Sequence, residues 1–123
     1  MKLRIRGNSI RLRLSRGEVA QFGTTGEITE KTVFGQSNLI YTLRTSSEAK
    51  ELSANFADNE IIVTLPDKLA RDWVESNEVG IEAEQIISSS EILKISVEKD
   101  FVCLDRPGDV DNEDAYPHPS INC

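Results

Sequence analysis

Apolar and polar residues alternate from the start of the chain. Leu3 and Ile5 interleave with Lys2, Arg4 and Arg6, and Ile10, Leu12 and Leu14 interleave with Arg11 and Arg13. A period of two predicts strands with one buried face. Gly7-Asn8 between the runs predicts a hairpin turn, because both residues tolerate positive φ. Ser15 followed by Glu18 has the spacing of a capping box. It predicts a short helix over 15–23, with Val19 and Phe22 facing inward and Gly23 and Gly26 stopping it. Residues 27–34 and 39–44 read as a strand pair, and residues 45–50 as a polar connector. The pattern then restarts. Leu52, Ala54 and Phe56, a turn at Ala57-Asp58-Asn59, and Ile61, Val63 and Leu65 predict a second hairpin. Pro66 suits a first helical position. Leu69, Ala70, Trp73 and Val74 form an amphipathic stripe over 66–76. Val79, Ile81 and Ala83, then Leu93, Ile95, Val97 and Phe101, supply the last two strands.

A shift of 51 residues lays the second run over the first. Leu3 meets Ala54, Ile5 meets Phe56, Ile10 meets Ile61, Leu12 meets Val63 and Leu14 meets Leu65. Val19 meets Ala70, Phe22 meets Trp73 and Ile28 meets Val79. One slipped residue later Tyr41 meets Leu93 and Leu43 meets Ile95. The expected fold is therefore α+β and β-rich. Two pseudo-symmetric strand–strand–helix–strand–strand units, residues 1–50 and 51–104, form a barrel-like sheet with two short helices, as one domain. Residues 105–123 are an acidic, Pro-containing tail, expected to dock on that domain through Tyr116, Pro117, Pro119 and Ile121.

Composition narrows the class. The 123 residues suit one domain, and 38% hydrophobic with 28% charged residues suits a soluble chain with a modest core. No run approaches the roughly 18 apolar residues of a membrane span. No secretory leader is visible, so a cytoplasmic location is expected. Net charge is −7, but it is unevenly placed. Residues 1–50 hold nine Lys/Arg against four Glu, while residues 51–123 hold five against seventeen Asp/Glu. A pI near 4.7 argues against a nucleic-acid partner. The basic row Arg4, Arg6, Arg11 and Arg13 is expected to pair with acids such as Glu82, Glu84 and Glu98, within the chain or across a homodimer.

Two resemblances add expectations. Residues 59–100, from NEIIVTLP through DKLARDWVE to ILKISVEKD, resemble the swapped-hairpin module of AbrB-type regulators and MazE-type antitoxins. That likeness implies two units exchanging hairpins, here supplied by one chain, and it brings a DNA-binding alternative using the Arg row. Over its whole length, with the opening MKLRIRGNSIRLRLS and the EKDFxCL segment, the chain resembles a group of short bacterial proteins of unknown function.

The C-terminal segment holds the remaining chemistry. Cys103, His118 and Cys123 could converge on zinc, since thiolate and imidazole suit that ion. They could instead form a Cys103–Cys123 disulfide, or be a buried thiol and a terminal one. The run Asp109, Asp111, Glu113 and Asp114 lacks the Gly and Glu spacing of a calcium loop. One His and no nucleophile elbow argue against a hydrolytic triad, and the seven scattered glycines form no phosphate loop. The leading reading is a non-enzymatic binding or interaction module for a protein or small-molecule partner. It needs no cofactor and has no membrane role. A metal or thiol protein using Cys103, His118 and Cys123 is the alternative.

Overall fold

The computed structural model describes residues 1–101 and Tyr116. Cys103, His118, Cys123 and all of the expected tail but Tyr116 lie outside the described residues. The order of elements is β1 (Lys2–Arg6), β2 (Ser9–Leu14), α1 (Arg16–Thr25), β3 (Glu27–Val33), β4 (Asn38–Ser46), β5 (Ser53–Ala57), β6 (Glu60–Pro66), α2 (Asp67–Glu75), β7 (Gly80–Ile86) and β8 (Ile92–Lys99). The β-rich α+β class stands.

Local chemistry sets the boundaries. The Glu18 N–H donates to Ser15 Oγ at 3.3 Å and the Ser15 N–H donates to Glu18 Oε1 at 2.9 Å, completing the capping box. Gly26, at φ 78°, closes α1 by donating its N–H to the Phe22 carbonyl. Gly23 lies inside the helix and does not stop it. Asp58 and Asn59 both have positive φ, as a two-residue hairpin between β5 and β6 requires. Pro66 ends β6 and stands just before α2.

The strands form two separate four-stranded sheets and no closed barrel. One has the order β1-β2-β8-β7 and the other β3-β4-β6-β5. Sequential neighbours pair antiparallel, and each sheet is completed by one parallel pair, β2 with β8 and β4 with β6. Each sheet thus combines a hairpin from the first half of the chain with one from the second. Both helices carry the chain across: α1 from the first sheet to the second, α2 from the second back to the first. One hydrophobic core joins the layers, with Leu12, Leu14, Phe22, Leu43, Val63, Leu65, Trp73 and Val97 all at or below 1% exposure.

Polar contacts link the edges of the two sheets without joining their ladders. At the β5/β7 edges Gln85 accepts from the Ala54 N–H at 2.8 Å and donates to the Ala54 carbonyl at 3.1 Å. At the β1/β3 edges the Met1 α-ammonium meets Glu30 at 3.0 Å and also contacts Glu18. Burial alone would raise the Glu18 carboxyl. Hydrogen bonds from the ammonium and from Ser15, with the ammonium's charge, outweigh that and hold its pKa below the ordinary 4.5.

Candidate functional site

The strand registers arrange the basic row. On the face of the first sheet turned away from Leu12, Ile95 and Val97, three lines of residues cross all four strands in the order β1, β2, β8, β7. They read Lys2, Arg13, Glu98, Gly80; then Arg4, Arg11, Ser96, Glu82; then Arg6, Ser9, Lys94, Glu84. Arg4, Arg6, Arg11 and Arg13 do share one face. The parallel β2–β8 pairing puts the acids on that same face, one to three strands away. The short Ser9 and Ser96 between longer neighbours leave an open groove of about 700 Å³.

Charge is graded across this face, from basic at β1 to acidic at β7. The expected Arg–Glu pairing is met by one acid. Glu98 takes Arg11 at 3.4 Å and Arg13 at 3.3 Å. It turns toward β2 because Gly80, its direct neighbour on β7, presents nothing. A Cβ there would sit 2.9 Å from the Val97 carbonyl oxygen and 3.0 Å from Glu98 Cγ. Lys2 reaches Asp100 at 2.9 Å. Among the described residues Arg4, Arg6, Glu82 and Glu84 make no ion pair.

The second sheet carries a contrasting face. Its edge strand β5 presents Ser53, Asn55 and Ala57 where β1 presents Lys2, Arg4 and Arg6, and its central line is Asn55, Ile62, Thr42, Thr29. Thr29 and Thr42 bond each other at 3.0 Å, and Thr42 donates to Glu60 at 2.7 Å. The edge strand β5 is therefore neutral where β1 is basic, while the other three strands carry Glu60, Arg44, Lys31 and Glu27 on this face, so the β1 arginines are not a requirement of the fold.

A second cluster escaped the reading of the sequence. Lys99 is only 4% exposed. Its ammonium lies 5.7 Å from the Trp73 ring centre and 5.4 Å from that of Tyr116, and it donates to the Ser76 carbonyl at 2.7 Å. Tyr116 also stacks edge-on to Phe101, lies beneath the Arg16 guanidinium and donates its N–H to the Asp100 carbonyl at 2.7 Å. The signal was in the alternation: Ile95, Val97 and Lys99 share a parity, so Lys99 must point inward. Two aromatic faces and one carbonyl offset part of the cost of burying the charge. The cluster holds the Lys99 ammonium, and its described residues form no nucleophile–base pair.

Burial pushes the Lys99 pKa down, with Glu78 acting weakly the other way. The folded pKa then lies below the unfolded one, so the unfolded chain holds more protons between the two. The contribution of Lys99 to stability therefore rises with pH through that window, up to the ordinary lysine value of 10.5. Urea unfolding of wild type and Lys99→Met across alkaline pH should show that extra rise in wild type alone. Parallel curves would mean that the ammonium is solvated.

No group of metal-ligating side chains occurs among the described residues, and no helix among them is long and apolar enough to cross a membrane. The comparison with known families decides membership: one family model matches residues 1–120. The chain belongs to DUF7009, a family of unknown function. No curated protein and no solved structure matches this DUF7009 chain.

Proposed function

We propose that the protein is a non-enzymatic binding module whose working surface is the charged face of the first sheet. One observation carries this. Arg4 and Arg6 make no ion pair among the described residues, beside an open groove, where the other sheet manages with Ser53, Asn55 and Ala57. Guanidinium groups recognise carboxylate or phosphate through paired N–H donors. The partner therefore brings an anionic group to β1. A nucleic acid fits poorly, because a phosphate backbone crossing the face would meet Glu98, Glu82 and Glu84.

The reading includes an internal duplication of the swapped-hairpin kind. The exchanged hairpins favour it. So do the ladders, which place Ile28 opposite Leu43 and Ile81 opposite Val97. That correspondence moves the offset from 51 residues in β1, β2 and the helices to 53 in β3 and 54 in β4. Phe22 and Trp73, partners under the 51-residue shift, touch each other with rings 6.3 Å apart. Gly23 and Val74, also partners, face each other where the helices meet: a Cβ on Gly23 would stand 2.8 Å from Val74 Cγ1. Contact between such partners is what a two-fold axis relating the two units requires, and it supports the reading.

A titration with an oligo-aspartate peptide tests the surface. Wild type should bind it, and Arg4→Gln/Arg6→Gln should weaken binding about tenfold or more, since charge-assisted bonds contribute roughly 1.5–3 kcal/mol. Equal binding by both proteins would remove this face from consideration.

A further inference from the structure

We infer that the partner of this face is the same face of a second copy of the chain; the inference rests on the binding-face reading. The argument is one of pattern. Consider a two-fold axis lying in the contact plane, parallel to the strands and between β2 and β8. It sets β1 of one copy over β7 of the other and leaves each line of residues facing itself in reverse order. Arg4 then faces Glu82 of the second copy, Arg6 faces Glu84 and Arg13 faces Glu98. Arg11 faces Ser96, Ser9 faces Lys94 and Lys2 faces Gly80. Like charge meets like charge nowhere on the grid.

The other in-plane axis, running across the strands, fails. It lays β1 on β1 and sets the arginine row against itself, which repels. The charge pattern thus selects one of two face-to-face dimers. It also gives partners to Arg4, Arg6, Glu82 and Glu84, four of the five charges of this face without an ion pair among the described residues; the fifth, Lys94, faces Ser9. The groove above Ser9 and Ser96 leaves room for the long side chains of the facing copy.

Scale sets the strength. Three strand gaps and three lines span about 14 Å in each direction. A patch of this size with a polar surface belongs with weak, transient contacts. Its ion pairs are screened as the Debye length falls from roughly 30 Å at 0.01 M salt to roughly 3 Å at 1 M.

Sedimentation of the full chain and two charge-reversed variants tests the dimer. Arg4→Glu/Arg6→Glu makes the β1 edge acidic, and Glu82→Lys/Glu84→Lys makes the β7 edge basic; circular dichroism confirms that each is folded. Wild type should form a dimer that weakens about tenfold or more between low and high salt. Each variant alone should be monomeric. Their equimolar mixture should form a heterodimer, because every reversed charge then faces its opposite. A wild type monomeric at about 1 mM overturns the inference. So does a dimer that both variants retain, which would point to the exposed Ile86 and Ile87 or to Phe34 and Phe56, and so does assembly beyond a dimer. If wild type is monomeric yet binds oligo-aspartate through Arg4 and Arg6, the binding face stands and self-pairing falls.

Discussion

Trp73→Ala should lower stability by about 3–5 kcal/mol, the range for truncating a fully buried large aromatic. Trp73 has no exposed surface and packs edge-on against Phe22. Its indole N–H donates to the Val79 carbonyl at 3.2 Å, and its face supports the Lys99 ammonium. The substitution therefore opens a cavity between the two helices and takes away one aromatic wall of a buried cation. A domain of this size has about 5–15 kcal/mol in total, so the melting temperature should fall by on the order of 10–25 °C. Circular dichroism is the measurement, because Trp73 is the only Trp. Trp73→Phe keeps much of the packing, and the Val79 carbonyl still accepts the Lys99 N–H at 2.9 Å. It should lose well under half as much. A loss below about 1 kcal/mol for Trp73→Ala would be surface behaviour and would contradict the core described above.

Gly23→Ala should carry the sign opposite to helix propensity. Inside a helix Ala is favoured over Gly by about 1 kcal/mol. Here the added Cβ would stand 2.8 Å from Val74 Cγ1. A helical valine has essentially one χ1 rotamer and cannot turn aside. Overpacking of this kind costs about 1–3 kcal/mol, so the net change should be a loss of about 1 kcal/mol. In a Val74→Ala background the clash is gone, and the same substitution should become stabilising. The reversal of sign between the two backgrounds is the result to look for in a double-mutant cycle. If Gly23→Ala stabilises both, the helices are further apart than described.

Gly23 also shows where the sequence stops being informative. The capping box of Ser15 and Glu18, the hairpins and the buried Phe22 and Trp73 were all legible, because each depends on neighbours within a few positions. Gly23 read as a helix stop because its reason, the approach of α2, lies 51 residues away. The Arg row followed from alternation alone. Glu98, Glu82 and Glu84 were expected to meet it, but not by which route, since that depends on β2 pairing with β8 rather than with a neighbour in sequence. Closure into a barrel was expected for a related reason: alternation says which face is buried and nothing about which edges meet. Shifting a strand by two residues leaves its pattern intact, so the shift of 51 set Ile28 on Val79, whereas the ladders favour Ile81.

The exchange of hairpins has a consequence for how the chain folds. When the first half is complete, both its hairpins still lack their parallel partners: β4 waits for β6, and β2 waits for β8, the last strand of the body. Neither half can bury its own apolar faces, so a nascent chain gains little from folding early. Contacts of such long sequence separation slow the search for the native state and tie both halves to a single cooperative event. The same wiring makes the link between β4 and β5 a place where the backbone could be cut without severing any sheet pairing. The two fragments would be unfolded apart and would complete each other's sheets when mixed.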